Sequence, residues 1–84
     1  MERVSTVFIA DNTEEFTLAL TGALQRTEGF QVIGTASDGE ETIRSVRERR
    51  PDFLVLDLML SKQDGFSILK AIGNMERKPI ILAT

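Results

Sequence analysis

The 84-residue sequence contains no cysteine and no histidine. Without cysteine, the chain has no disulfide framework, no thiolate metal site and no cysteine nucleophile. Without histidine, it cannot supply serine–histidine catalysis or histidine–zinc coordination. Chemistry on this chain must therefore rely on carboxylates, hydroxyls, backbone amides, Lys or Arg, or an added metal.

The sequence also lacks a long apolar run and a strong excess of charge. No stretch approaches the roughly 20 apolar residues of a membrane span, and the N-terminus does not have the pattern of a secretory signal. We therefore expect a cytoplasmic chain without membrane contact. Ten basic and thirteen acidic residues give a net charge of -3, so we expect no direct nucleic-acid contact by this segment. The length allows one domain at most.

Short apolar runs alternate with helical patterns along the chain. The runs cover 4–10, 30–36, 53–56 and 80–84, and they are rich in β-branched residues, as buried strands are. Asn12, with Glu15 three residues later, predicts a capping box that opens the first helix. Gly29 is predicted to end that helix. The predicted order is βαβαβαβ, which favours an α/β fold with a parallel sheet and helices on both faces.

Polar residues follow three of these predicted strands. Asp11 and Asn12 come after the first, Asp57 after the third, and Thr84 ends the fourth. In open parallel sheets, ligands bind beyond the carboxyl ends of the strands, so these residues are predicted to share one functional edge. Simpler interpretations remain for each: a turn acid for Asp57, a helix-dipole partner for Asp11, a helix cap for Asn12 and ordinary strand preference for Thr84.

Two carboxylates at one sheet edge predict a particular chemistry. They repel one another unless a proton or cation lies between them, and oxygen ligands suit Mg²⁺. Such a cation offsets the charge of an incoming phosphoryl group. A carboxylate can then act as the nucleophile and form an acyl phosphate.

Four segments in this order resemble the receiver domain of bacterial response regulators. They are VFIADN at 7–12, ASDGEE at 36–41, PDFLVLD at 51–57 and DGF at 64–66. The N-terminal half most resembles receivers of sporulation-initiation regulators. The resemblance implies a flavodoxin-like, doubly wound parallel sheet, and it makes residues 1–84 the N-terminal portion of a receiver domain.

The resemblance also implies roles for individual residues. Asp57 is expected to accept a phosphoryl group from a phosphohistidine on a sensor histidine kinase or phosphotransferase, and so to regulate an output such as transcription. Mg²⁺ is expected at Asp11, Asn12, Asp57 and the backbone carbonyl of Met59. Thr84 matches the switch hydroxyl of the family. The chain is thus expected to be a phosphoacceptor in a phosphorelay and not a turnover enzyme.

Several positions depart from the family pattern. Asn12 stands where a second acid is usual, which should weaken metal binding. Leu60 and Ser61 replace a Met-Pro pair, which removes a rigid φ from the loop. The last helix, strand and helix of the family, with an essential Lys, are not in these 84 residues. We therefore expect the hydrophobic edge at strand 4 to promote self-association.

Two other functions remain open. A degenerate receiver would keep the fold and act as a phosphorylation-independent interaction module, as Asn12, Leu60 and Ser61 suggest. A small phosphohydrolase would use Asp57 as its nucleophile, but such enzymes usually carry a second Asp two residues later, where this chain has Met59.

Overall fold

Four strands alternate with three helices in residues 3–60 and 65–84, which the computed structural model describes. The strands are β1 (Ser5–Ala10), β2 (Phe30–Ala36), β3 (Phe53–Leu56) and β4 (Ile80–Ala83). The helices are α1 (Glu14–Gln25), α2 (Gly39–Arg49) and α3 (Gly65–Gly73). The predicted order βαβαβαβ is confirmed. No helix among the described residues is long and apolar enough to cross a membrane.

The strands form one parallel sheet in the order β2-β1-β3-β4. Alternate side chains of each strand therefore enter two separate apolar clusters. The α2–α3 face contains the larger cluster, whose buried members are Phe8, Ala10, Ala36, Val46, Leu54, Leu56, Leu60, Ile68 and Ile72. The α1 face contains the smaller one, Val7, Ile9 and Val55, with Leu20 and Leu24 of α1 packed on it. This sheet fixes the strand ends at which the polar residues lie.

Helix α1 covers its face of the sheet incompletely. The sequence pattern predicted one buried side through Phe16, Ala19, Leu20, Ala23 and Leu24, but no residue of α1 is buried. Leu20 and Leu24 are half-buried, whereas Phe16 and both alanines are exposed. The pattern was therefore only partly right, because a helix that packs on one side of a sheet contacts it through a narrower stripe than the apolar spacing suggested.

The ends of α1 also differ from the prediction. The helix begins one residue after Thr13, which is its N-cap residue and makes no side-chain cap bond, so the Asn12 capping box is wrong. The side-chain hydrogen bond just before the helix is instead made by Asp11, whose carboxylate accepts the Thr13 backbone N–H at 2.7 Å. Gly29 does not end the helix, which stops at Gln25; it has φ +95° before β2, and its carbonyl accepts the Ser5 N–H at 2.8 Å.

Helix α2 has well-formed ends. The Asp38 side chain accepts the Glu41 backbone N–H at 2.9 Å, which satisfies a donor that the helix itself leaves free. The last turn is closed by Arg50, which adopts the left-handed conformation (φ 48°, ψ 60°). Pro51 follows and is buried. The predicted helix start at Asp38 and stop at Pro51 are confirmed.

The β1–β2 pairing contains a bulge. Val7 pairs with Val32 but Phe8 pairs with Gly34, so Ile33 has no partner in the register. The Arg49 guanidinium donates to the Ile33 carbonyl. A Cβ on Gly34 would lie 2.8 Å from both the Arg49 guanidinium and the Phe8 ring. The glycine is therefore needed where the arginine and the ring approach the strand.

Candidate functional site

The carboxyl ends of three strands meet side by side. Ala10 pairs with Leu56, and Leu56 pairs with Ala83, so the next residues, Asp11, Asp57 and Thr84, lie across one edge at the usual strand spacing of about 4.8 Å. Two hydrogen bonds continue the ladder past the strand ends: the Asp57 N–H donates to the Ala10 carbonyl at 2.9 Å, and the Leu58 N–H donates to the Thr84 carbonyl at 3.2 Å. The edge predicted from the sequence is therefore present.

Asp11 and Asp57 make the same local turn. Oδ1 of Asp11 accepts the Thr13 N–H at 2.7 Å, and Oδ1 of Asp57 accepts the Met59 N–H at 2.9 Å. Such turns fix the direction of a carboxylate through its own backbone. Each turn uses one oxygen, so Oδ2 is left outside it. Both side chains are half-buried, which leaves them accessible from the edge.

The donors at this edge fit a hard divalent cation. They comprise two neighbouring carboxylates, the exposed amide of Asn12 and the backbone at Met59, all of them oxygen donors of the type that Mg²⁺ prefers. The part of the chain that the structure describes contains no cluster of three or more Asp, Glu, His or Cys residues able to hold a metal. A cation here would thus have few protein ligands and keep several waters, as Mg²⁺ commonly does.

Thr84 lies beside Asp57 at the end of the edge. Its N–H donates to the Leu56 carbonyl at 2.8 Å, and its side chain is exposed. The backbone of Thr84 is thus held in the sheet while its hydroxyl is accessible. The position agrees with the prediction, whereas its role as a switch hydroxyl stays a prediction.

The loop after Asp57 is anchored to the core. Leu60 is only 4% exposed and belongs to the larger apolar cluster. The Gly65 N–H donates to the Leu58 carbonyl at 3.0 Å, and a Cβ on Gly65 would lie 2.6 Å from the Leu58 Cα. The absence of a proline predicted a loop whose conformation is less fixed. The buried side chain of Leu60 instead holds the loop against the core, and the sequence did not reveal this contact. Ser61 and Asp64, which the sequence analysis also named, lie outside the described residues.

A polar cleft of about 510 Å³ adjoins Asp11 and Asn12, on the side away from Asp57. Its lining includes Glu14, Thr35, Ser37 and Glu41 beside Asp11 and Asn12. Glu14 and Thr35 were not predicted near the acids, whereas Ser37 and Glu41 belong to the segment 36–41 that resembles a receiver. Their signal in the sequence is their place at the end of β2, just after it, or in the first turns of α1 and α2, because a doubly wound sheet brings these segments together.

A parallel sheet of order 2-1-3-4 with this βαβαβαβ succession is the fold of a known family. The family model of the response regulator receiver domain matches residues 7–84. The chain belongs to the receiver-domain family. Receivers of this family act in signal transduction by two-component systems, generally bind Mg²⁺ and work with a histidine kinase.

Relatives of several kinds share this receiver. The alkaline phosphatase synthesis transcriptional regulatory protein PhoP of Bacillus subtilis is 37% identical over 79 residues, which are 93% of this chain and 32% of PhoP. A protein-glutamate methylesterase/protein-glutamine glutaminase of Syntrophomonas wolfei is 36% identical over 78 residues, which are 93% of this chain and 22% of that protein. The chain thus spans a third or less of these relatives and matches the methylesterase through its receiver alone.

Solved receivers have the same fold. The receiver of the putative response regulator NarL from Mycobacterium tuberculosis superposes with a TM-score of 0.88 at 25% identity, over 99% of this chain and 66% of that one. The response regulator domain of Thermotoga maritima CheB gives a TM-score of 0.87 at 24% identity, over 96% of this chain and 61% of that one. The latter likeness shows the fold alone.

Proposed function

We propose that Asp57 accepts a phosphoryl group from a phosphohistidine on a sensor histidine kinase or phosphotransferase. The observation that carries the proposal is the pairing of β1 with β3, which sets Asp57 beside Asp11 at the functional edge of a receiver fold. A free carboxylate oxygen of Asp57 attacks phosphorus. The P–N bond breaks, its electron pair returns to the imidazole, and an acyl phosphate forms.

The residues around Asp57 would support this transfer. Asp11, Asn12, Asp57 and the Met59 carbonyl would hold Mg²⁺, which supplies charge compensation for the phosphoryl oxygens. The Met59 N–H fixes one oxygen of Asp57 and so orients the other. The Thr84 hydroxyl would bond the transferred phosphoryl group. In this proposal residues 1–84 are the N-terminal portion of a cytoplasmic receiver that regulates an output such as transcription; the sporulation-initiation subtype stays a prediction.

The test is incubation of a full-length receiver, which has the family's last helix, strand and helix after residue 84, with acetyl phosphate and Mg²⁺, followed by intact-mass spectrometry. We expect a Mg²⁺-dependent gain of one phosphoryl group that Asp57→Asn abolishes. Asp52→Asn is the matched control, since it removes an acid from the other end of the same strand, and it should retain the gain. Circular dichroism would verify that both variants fold.

The same experiment separates the alternatives. A folded full-length receiver that gains no phosphoryl group contradicts the proposal and supports the degenerate receiver that signals without phosphorylation. Continuous release of phosphate with turnover supports the phosphohydrolase.

The metal assignment has its own test. Asn12→Asp adds a carboxylate to the predicted ligand set, so we expect Mg²⁺ to bind at least about fivefold more tightly, since one unit charge at 4 Å contributes about 1 kcal/mol even in water. Isothermal titration with Mg²⁺ measures the change. Asn74→Asp, which adds the same charge at an exposed position, should leave the affinity unchanged; an equal effect of both variants would contradict the assignment.

We also propose that the chain self-associates through β4 and the α1 face. Strand β4 is an edge strand with Ile80 60% and Leu82 52% exposed. Beside it lies an apolar cleft of about 230 Å³, lined by Val7, Leu20, Leu24, Phe30, Phe53, Val55 and Leu82. Exposed apolar edges of this kind recruit other strands. Sedimentation velocity should show a dimer or larger species, which Leu82→Lys dissociates and Leu18→Lys does not; a wild-type monomer at all concentrations would refute self-association.

A further inference from the structure

The arginines between α2 and β3 divide into groups with different environments. Arg49 is bound to the Ile33 carbonyl at the bulge. Arg44 lines a shallow groove on α2 together with Arg47, Glu40 and Glu48. Arg47 lies between this groove and a cleft at the amino ends of the strands, which it lines with Arg50. Arg44, Arg47, Arg49 and Arg50 are close in the sequence and would fit one solvated basic face, but the structure gives them different environments.

The cleft collects positive charge from separate segments. Arg47 comes from the last turn of α2, Arg50 from the residue that closes it, and Arg77 from the segment before β4. The volume is about 330 Å³, and Met75 and Glu76 complete the lining. Three cations and one anion give a lining charge of +2, in a chain whose net charge is -3.

The charge of this cleft is poorly neutralised within the chain. Among residues 3–60 and 65–84, no ion pair within 4 Å involves Arg47 or Arg50. Arg77 lies 3.7 Å from Asp52, a contact that also restrains its side chain, while 65% of that side chain stays exposed. Within the described residues, Arg47 and Arg50 thus leave two guanidinium groups of this cleft available to bind an anion.

Arg50 adds an independent observation. Its left-handed backbone conformation is one that glycine adopts without strain and that costs other residues about 1 kcal/mol. Position 50 thus carries an arginine although a glycine there would avoid the backbone strain, and the arginine side chain lines the cleft. Strain of this kind is a reason to look for a function.

We propose that Arg47, Arg50 and Arg77 bind the phosphate group of an anionic ligand. Guanidinium groups bind phosphate oxygens bidentately, and clusters of Arg recognise phosphorylated segments. The source of the phosphate is either free inorganic phosphate or a phosphorylated side chain on a partner protein. The site is separate from Asp57, since the five-residue step from Asp52 to Asp57 along β3 spans about 16 Å.

The first test is a titration of the chain with inorganic phosphate, in Mg²⁺-free buffer with chelator and with chloride holding the ionic strength constant. Backbone amide NMR should show saturable shifts confined to residues near 47–51 and 75–78. Arg50→Gly removes a guanidinium and relieves the backbone strain, so it should fold well and bind at least about tenfold more weakly. Arg47→Gln should weaken binding to a similar extent.

Arg44→Gln is the matched control, because it removes the same charge from the same helix outside the cleft. It should bind phosphate like the wild type. Shifts that do not saturate, or an equal loss in Arg44→Gln and Arg47→Gln, would show general charge attraction and overturn the site.

A second arm distinguishes the two sources of phosphate. A short phosphoserine peptide and its unphosphorylated form are titrated in the same buffer. Tighter binding of the phosphopeptide than of inorganic phosphate assigns the site to a modified partner, and equal binding assigns it to free phosphate. Binding of neither probe, or equal binding of both peptides, refutes phosphate recognition.

Discussion

Strand β3 has an aspartate beyond each end, and the two differ in how fully they are bound. At the amino end, Asp52 accepts the Thr6 N–H at 2.9 Å and the Thr6 hydroxyl at 3.2 Å, and it lies 3.8 Å from Arg3 and 3.7 Å from Arg77. At the carboxyl end, Asp57 accepts the Met59 N–H of its own turn, and no ion pair within the described ranges reaches it.

These contacts make Asp52 a structural acid and leave the Asp57 carboxylate available for chemistry. The Thr6 backbone N–H, with help from the Thr6 hydroxyl and the charges of Arg3 and Arg77 and against the effect of burial, holds the pKa of Asp52 below its usual range. Its oxygens are occupied in joining β1 to β3. The loop beyond Asp57 is instead anchored by apolar and backbone contacts of its neighbours, which leaves the carboxylate available for chemistry.

The largest loss of stability should come from removing the apolar side chain that anchors the loop after Asp57. Leu60→Ala removes a side chain that is 4% exposed and should lower the free energy of unfolding by about 3 kcal/mol, because the cavity adds to the lost burial. Urea denaturation measures the change. Leu18→Ala, at a leucine that is 63% exposed, should change stability by less than about 0.5 kcal/mol; similar losses in both would show that the loop is not anchored in the core.

Gly65→Ala tests the backbone part of that anchor. The new Cβ would meet the Leu58 backbone at 2.6 Å, so the loop or α3 must shift, and we expect a loss of about 2 kcal/mol. Phosphoryl transfer to Asp57 should slow as well, because Leu58 separates Asp57 from Met59. Gly73→Ala is the control, since nothing lies within 4 Å of its Cβ position. If the two variants had equal stability, the close approach of Gly65 would not matter.

A smaller loss of stability should distinguish Asp52 from Asp57. Asp52→Ala leaves the Thr6 N–H without its acceptor and removes the partner of two arginines, so the urea midpoint should fall. Asp57→Ala removes one hydrogen bond within a turn and should move the midpoint less. A larger fall in the urea midpoint for Asp57→Ala than for Asp52→Ala would contradict the interpretation that Asp52 is the structural acid and Asp57 the available one.

Lowering the pH should gradually reduce the stability that the ionised Asp52 carboxylate contributes. The pKa of Asp52 is lowered in the folded state from the ordinary value of 3.8, so its ionised form stabilises the fold above pH 3.8, and this contribution is lost as the pH falls through the folded pKa. The midpoint difference between wild type and Asp52→Asn should therefore shrink below about pH 4. A difference that stays constant down to pH 2.5 would contradict this.

The sequence predicted the strands and their functional ends better than the helix surfaces. Apolar runs such as 53–56 are unambiguous because a parallel strand is buried on both faces. The cap of α1 was missed because Asp11, Asn12 and Thr13 are all good candidates, and only the backbone path selects among them. The roles of Asp52 and Leu60 could not be predicted, because each depends on a partner distant in sequence.

The bulge at Ile33 gives β2 a change of phase. Val32 packs on the α1 face and Ala36 in the α2–α3 cluster, although two residues four apart in an uninterrupted strand would point to the same side. The unpaired residue at 33 thus reverses the alternation of side chains between the two parts of β2. A deletion there would turn Gln31 toward the side that Val32 now occupies, so β2 should tolerate substitution at residue 33 far better than its removal.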